Sequence, residues 1–102
     1  MIHVIATITV HPGKRHAFLD EFHRVVPLVR AEDGCLAYAP TIDAATDISK
    51  QGPQRPDTVV IIERWSDLAR LKAHLVAPHM EAYRAQVKDL VASSQLQVLE
   101  QA

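Results

Sequence analysis

The sequence predicts an α+β fold of the split β-α-β, or ferredoxin-like, type, in which helices cover one face of a four-stranded antiparallel sheet. Segments with the alternating apolar pattern of strands are separated by segments with helical spacing. Their order is strand, helix, strand, strand, helix pair, strand. A chain of 102 residues has room for one hydrophobic core, so we expect a single domain over residues 1–102.

The first strand is predicted over residues 2–10, where the even-numbered residues are all apolar and should face the core. His11-Pro12-Gly13 ends this strand with turn-forming residues. From Lys14 the apolar spacing becomes helical, and Gly34 is a natural end for the helix. The helical stripe consists of Phe18, Phe22, Val25 and Val29.

The second and third strands are predicted over residues 35–42 and 58–65, and TVVIIERW in the latter is the strongest strand signal in the chain. The segment between them, residues 43–57, has no clear period and carries Gly52, Pro53 and Pro56. Loops this long are often functional. We therefore expect a mobile flap that covers a pocket mouth or reaches a partner subunit.

Two short helices and a last strand complete the prediction. The first helix lies within residues 66–75, and the second starts at Pro78, because proline is favoured at the first helical position. Ser93 and Ser94 should interrupt the pattern before a final strand around residues 95–100. The outer face of the sheet carries apolar groups such as Ile5, which a second copy of the chain could cover.

The composition excludes several classes of function. The net charge is −1 with no block of like charge, so nothing indicates binding to nucleic acid or to an anionic membrane. No apolar run reaches the roughly 20 residues of a membrane helix, and no signal peptide is evident. The single cysteine, Cys35, rules out an internal disulfide and suits a reducing cytosol, so we expect a cytoplasmic protein.

Four sequence segments together resemble the antibiotic biosynthesis monooxygenase (ABM) family, which includes quinol monooxygenases and the anthrone oxygenases of polyketide pathways. They are the HPGK turn, VPLVRAEDGCLAY, IIERW and LKAHLVAPHM. The resemblance implies a homodimeric α+β barrel in which each subunit holds a pocket between sheet and helices. It also implies oxygen insertion without flavin, haem or metal, as in several members.

The chain departs from two branches of this family. Ile61 lies four residues before Trp65, where the anthrone-oxygenase branch tends to carry a pocket asparagine. The haem-degrading branch uses an asparagine on the first strand, and the centre of that strand here is Ala6 and Thr7. The loop 43–57 also looks longer than the usual connection. The substrate therefore cannot be carried over from either branch.

The expected reaction needs a general base, because an electron-rich phenolate or enolate reacts with triplet oxygen far more readily than the neutral molecule does. Histidine has an unperturbed pKa of about 6.5 and suits this role. His74 and His79 flank the junction of the two short helices, and the resemblance places both at histidine positions of the family. We predict them as catalytic, with His79 favoured beside Tyr83; the alternative role for each is to cap a helix end.

Five further residues are predicted to bind the substrate: Trp65, Tyr83, Phe22, Ile61 and Glu63. Trp65 could stack on an aromatic ring and donate its indole N–H to a substrate oxygen; the alternative for Trp65 is plain core packing. Tyr83 could donate its hydroxyl to a substrate carbonyl or only cover the core, and Phe22 should form an apolar wall. Glu63 shares a strand face with Trp65, so its carboxylate would be buried. Burial of a carboxylate is costly unless it is paired, and structural pairing is the alternative to substrate binding for Glu63. Its candidate partners are Arg64, Arg30 and Arg84.

No metal or cofactor is predicted. His74 and His79 are five positions apart, so a single helix could not aim both at one ion as an i, i+4 pair would. The chain has no HExxH motif and no glycine-rich phosphate loop, so a flavin or nicotinamide site is unsupported.

The leading hypothesis is a cofactor-independent monooxygenase that oxidises a small aromatic quinol or a polyketide-like phenol with molecular oxygen. The alternative is a non-catalytic dimeric barrel that binds a small hydrophobic metabolite, and haem degradation is a weaker third. The first two hypotheses differ in whether a histidine or a tyrosine hydroxyl reaches the pocket.

Overall fold

Four antiparallel strands and three helices form the protein, as seen in a computed structural model that describes residues 1–102. In chain order the elements are β1 (Ile2–Val10), α1 (Arg15–Arg30), β2 (Cys35–Thr41), β3 (Thr58–Trp65), α2 (Leu68–Leu75), α3 (Pro78–Val87) and β4 (Val91–Leu99). The strand order in the sheet is β2-β3-β1-β4. The predicted ferredoxin-like fold is confirmed.

The two central strands, β1 and β3, define the two faces of the sheet. They pair antiparallel from Ile2 opposite Trp65 to Thr9 opposite Thr58. Alternate residues point to opposite faces, so Ile61, Glu63 and Trp65 are buried on the helix side. The opposite face carries Ile5 beside Ile62, and Ile62 is 44% exposed.

Helix α1 supplies most of the apolar surface that packs on the sheet. Its buried residues are Phe18, Phe22, Val25, Val26 and Val29. The helix continues past Pro27 to Arg30. Gly34 then adopts a φ of 80°, which favours glycine, and turns the chain into β2.

The last strand starts earlier than the sequence predicts. β4 begins at Val91 and includes Ser93 and Ser94, which pair with Thr9 and Ile8 of β1. The predicted break at the two serines is therefore wrong. Serine is a weak strand former, but the backbone ladder with β1 outweighs this local preference.

Helices α2 and α3 meet at a short connection. Asp67 caps α2 by accepting a hydrogen bond from the Arg70 backbone N–H at 2.9 Å. Val76 and Ala77 link the helices, and Pro78 opens α3 as predicted. No helix of the structure has the length and apolar character needed to span a bilayer.

The loop 43–57 lies at the end of the sheet where β3 begins. Arg55 and Asp43 form a bidentate ion pair, with Nη2–Oδ1 at 2.8 Å and Nε–Oδ2 at 2.9 Å. Asp57 accepts a hydrogen bond from the Gly13 backbone, and Arg15 donates to the Arg55 carbonyl. The loop residues line none of the clefts that contain His79 or Tyr83. Within one chain, the loop is therefore not the predicted flap over a pocket mouth.

Candidate active site

One carboxylate oxygen joins three separate elements of the structure. Glu32 lies in the turn after α1, and its Oε2 is 2.8 Å from Nδ1 of His74, near the end of α2. The same oxygen is 2.8 Å from Nε2 of His79, in the first turn of α3. The structure thus brings together the two histidines predicted as catalytic, around a glutamate that was not predicted.

The shared carboxylate determines which nitrogens of the two imidazoles are free. An ionised carboxylate only accepts hydrogen bonds, so Glu32 favours N–H on Nδ1 of His74 and on Nε2 of His79. The free lone pairs are then on Nε2 of His74 and Nδ1 of His79. Burial lowers the pKa of His74, and the hydrogen bond and charge of Glu32 only partly oppose this effect. The net effect favours the neutral imidazole of His74.

A second carboxylate, Glu63, lies in the interior with an indole as its partner. Trp65 Nε1 donates a hydrogen bond of 3.0 Å to Oε1 of Glu63, and Glu63 is 5% exposed. Burial raises the pKa of Glu63 to about 7, against the lowering effect of the Trp65 hydrogen bond.

Two predictions about this pair are wrong. The partner of Glu63 is Trp65 and not an arginine, because Arg30 donates to the Tyr38 carbonyl and Arg84 to the Leu75 carbonyl. The indole N–H is likewise already engaged by Glu63, so it is not free to donate to a substrate oxygen.

Aromatic rings fill the space between the sheet and the helices at this position. The ring centroids of Trp65 and His74 are 4.6 Å apart, and those of Tyr38 and His74 are 5.5 Å apart. Tyr38 also stacks on Phe22 at 5.4 Å. Beside Trp65, the pocket expected between the sheet and the helices is therefore occupied by side chains, and Phe22 is a core residue that contacts other rings.

Accessible space next to the candidate residues is found in two surface clefts. One, of about 240 Å³, lies between α1 and α3 and is lined by Val25, Leu28, His79 and Tyr83 among others. The other, of about 360 Å³, lies between α3 and the sheet and is lined by Ile8, Tyr83 and Val87 among others. Tyr83 is thus common to both clefts, and burial raises the pKa of its hydroxyl.

The predicted site residues fall into two groups. His79 and Tyr83 reach a cleft, whereas Glu63, Trp65 and His74 are buried together behind them. Glu32 joins the groups through its two hydrogen bonds. Ile61 is 2% exposed and belongs to the hydrophobic core, away from either cleft.

The predicted divergence of the His74 and His79 rings is wrong. Within one helix, a separation of five residues would point the two rings apart. They belong to α2 and α3, and the connection at Val76–Ala77 lets both rings face Glu32.

The position of Glu32 in the sequence could have identified it as a residue with a specific partner. Glu32 and Asp33 follow the C-terminus of α1, where the helix dipole disfavours negative charge. Acidic side chains at a helix C-terminus are stabilised when cationic groups or N–H donors pair with them. Both have them, since Asp33 pairs with Arg70 at 3.0 Å and Glu32 with the two histidines.

Comparison with known proteins identifies the family. The model of the family described as "Antibiotic biosynthesis monooxygenase" matches residues 1–86. The chain belongs to the ABM family. The Escherichia coli K12 protein named "Probable quinol monooxygenase YgiN" is 44% identical to it over 102 residues, covering 98% of this chain and 97% of that protein.

Solved structures of bacterial proteins share this fold. The protein PA3566 of Pseudomonas aeruginosa has a TM-score of 0.80 and 28% identity, over 99% of this chain and 93% of that one. Rv0793 of Mycobacterium tuberculosis has the same TM-score and identity, with 99% and 94% covered. The ABM match extends into α3, as far as residue 86, so it contains Glu32, His74 and His79.

Proposed function

We propose that this ABM protein is a monooxygenase that oxidises a small aromatic quinol with molecular oxygen and needs no flavin, haem or metal for the reaction. The observation that carries the proposal is the convergence of His74 and His79 on Glu32 beside an apolar cleft. This arrangement supplies an oriented base at a place where an aromatic molecule can reach it. The 44% identity to a protein named as a quinol monooxygenase supports the substrate class.

The chemistry begins with removal of a phenolic proton. The resulting phenolate transfers one electron to oxygen, and the semiquinone radical and superoxide then combine to form a carbon–oxygen bond. Protonation gives a ring hydroperoxide, which loses water as the O–O bond breaks. The balance is one quinol and one oxygen molecule to one hydroxyquinone and one water. The substrate supplies all the electrons, so the protein need only move protons and position the ring.

The two histidines have unequal access to such a substrate. His79 lines the cleft between α1 and α3 and is 24% exposed at its side chain, whereas His74 is 2% exposed. We therefore assign the base to Nδ1 of His79, with Glu32 fixing its tautomer. We assign to His74 the role of holding Glu32 in place from the interior, and to the Tyr83 hydroxyl the role of donor to a quinol oxygen.

Oxygen uptake in the presence of reduced menadione tests the proposal. We expect uptake well above the rate of spontaneous quinol oxidation, and one atom of ¹⁸O₂ in the hydroxyquinone product measured by mass spectrometry. Oxidation to unlabelled menadione alone would show that the protein only accelerates electron loss, which contradicts the monooxygenase assignment.

Variants separate the roles of the residues in this reaction. We expect His79→Ala and Glu32→Gln to lower kcat by about 10²–10⁴-fold, the usual contribution of a general base. His23→Ala, on the exposed side of α1, is the matched control and should keep the original rate. Original rates in both His79→Ala and His74→Ala would reject the assigned chemistry.

The alternative of a non-catalytic binding module is less favoured, because a histidine and a tyrosine both line the accessible cleft.

We further propose a cytoplasmic homodimer. The outer face of the sheet exposes apolar residues of both central strands, including Ile5 and Ile62, which a second copy would cover.

A further inference from the structure

We propose that Glu32, His74 and His79 form a binding site for one divalent first-row transition-metal ion such as Zn²⁺ or Co²⁺. The three ligand atoms, Oε2 of Glu32, Nδ1 of His74 and Nε2 of His79, all lie within 4.8 Å of one another. Two imidazoles with one carboxylate are a ligand set that such ions prefer.

Side-chain adjustments would bring the three ligand atoms to coordinating distances. In tetrahedral coordination with bonds of about 2.0–2.2 Å, neighbouring ligand atoms are about 3.3–3.5 Å apart. Each nitrogen is now 2.8 Å from the shared oxygen, so an ion that replaces the two hydrogen bonds would lengthen each N–O distance by about 0.5–0.7 Å. The two nitrogens, which lie within 4.8 Å of each other, would approach by up to about 1.5 Å. His79 borders the cleft between α1 and α3, which gives an ion a path and leaves the fourth position for water.

The three ligands come from separate elements of the fold, which distinguishes this site from neighbouring polar residues on one exposed helix turn. The exposed pair of His16 and Asp20, with Nε2–Oδ2 at 3.6 Å, offers two ligands on a single helix turn and is a suitable comparison. The candidate site instead has one ligand that is 2% exposed and another that is 14% exposed. Partly buried ligands that already face one another lose less freedom when they bind an ion.

Metal binding and the base role exclude each other in one molecule. An ion would take the lone pairs of His74 Nδ1 and His79 Nε2, which moves the protons to His74 Nε2 and His79 Nδ1. The nitrogen assigned above as the base would then carry a proton and could not accept another. Inhibition by Zn²⁺ is therefore expected; this consequence rests on the proposed function, whereas metal binding itself does not.

Calorimetric titration of the metal-stripped, tag-free chain with Zn²⁺ tests the site. We expect one ion per chain, and an increase in Kd of at least about tenfold in both His79→Ala and Glu32→Gln. His16→Ala should leave Kd unchanged. Circular dichroism of each variant checks that it is folded. The absence of saturable binding, binding that survives both site variants, or binding that His16→Ala removes would overturn the proposal.

Imidazole ¹⁵N spectra provide a second readout that requires neither turnover nor a variant. Zn²⁺ should shift the ring nitrogens of His74 and His79, while His3, His11, His16 and His23 serve as internal controls. Shifts in the control histidines without shifts in the candidate pair would show adventitious surface binding only. If Zn²⁺ binds as expected but the protein shows no oxygen uptake, the proposed function fails and the metal site remains.

Discussion

At the scale of single residues, Glu63 shows how burial changes an ordinary side chain. Its carboxyl group is almost inaccessible, with the Trp65 N–H as its partner, and its pKa is raised to about 7. An unfolded glutamate has a pKa of about 4.3, so the folded protein holds this proton more tightly than the unfolded chain does. The contribution of Glu63 to stability is therefore complete below about pH 4 and is lost as the pH rises through 7.

Substitution of Glu63 should change how stability depends on pH. We expect the free energy of unfolding of the wild type, relative to Glu63→Gln, to fall by about 2 kcal/mol between pH 5 and pH 8. Urea denaturation at four pH values measures it. Glu81→Gln, at an exposed position of α3, should follow the wild type. Parallel curves for the wild type and Glu63→Gln would contradict the raised pKa.

The candidate site could be predicted only in part at this scale. The histidines and Trp65 could be selected from their residue types and positions along the chain. Glu32 could not be joined to them from periodicity, because its partners are 42 and 47 residues away and meet it only after α2 and α3 pack beside the turn. The Glu63–Trp65 bond was also missed, although both residues lie on the same face of β3, because a buried carboxylate was expected to need a positive charge.

At the scale of elements, two glycine turns with similar backbone angles have different surroundings. Gly13 has a φ of 79° and Gly34 a φ of 80°. A Cβ atom at Gly13 would meet nothing within 4 Å, whereas at Gly34 it would overlap Cγ of Arg70 and lie 2.6 Å from Oγ of Ser66. The two positions therefore separate backbone strain from steric overlap.

Alanine substitutions at these two turns should differ in cost. Gly13→Ala carries only the strain of a left-handed backbone, about 1–2 kcal/mol. Gly34→Ala adds the overlap with Arg70, so we expect a further loss of about 1–3 kcal/mol. Thermal and urea denaturation of both variants measure the difference. Equal free energies of unfolding for the two variants would show that the turn after α1 and the Arg70 side chain relax without an energetic cost.

An ion pair between two residues of the loop 43–57 joins the ends of this loop. The Asp43–Arg55 ion pair lies near the two ends of the loop, and its hydrogen bonds lower the pKa of Asp43 to about 2. The pair therefore stays ionised through the whole physiological pH range. This closure was not evident from the sequence, where the loop has no period and its charges have no marked partners.

Loss of this ion pair should open the loop to proteases. We expect Asp43→Asn to increase the rate of trypsin cleavage after Lys50 several-fold, because the neutral side chain no longer holds the Arg55 guanidinium. Asp47→Asn, an exposed acid of the same loop, is the matched control. Cleavage that is fast in the wild type and unchanged in Asp43→Asn would support the mobile loop predicted from the sequence.

At the scale of the whole molecule, the sheet has one covered face and one open face. Helices α1, α2 and α3 cover the first, and the second exposes Ile62 at 44% next to Ile5. This division could be predicted from the alternation in β1 and β3, because alternating residues in a strand must face opposite sides. The start of β4 could not, since it depends on pairing with β1 far along the chain.

A charge on the open face should separate the proposed dimer. We expect the wild type to have the mass of a dimer by light scattering at micromolar concentration, and Ile62→Asp to have the mass of a monomer, because a buried unpaired carboxylate is costly. Leu68→Asp, at a position of α2 that is 46% exposed, should remain dimeric. A monomeric wild type would refute the proposal.

The connection between α2 and α3 consists of Val76 and Ala77 alone. Because it is so short, insertions and deletions at this point would change the relative orientation of the two helices. Each residue added to a helix end rotates the next part of the chain by about 100°. A single-residue insertion or deletion there would swing one imidazole away from Glu32. In homologues that keep the glutamate, we expect gaps to accumulate in the segment 43–57 and to be absent between the two histidines.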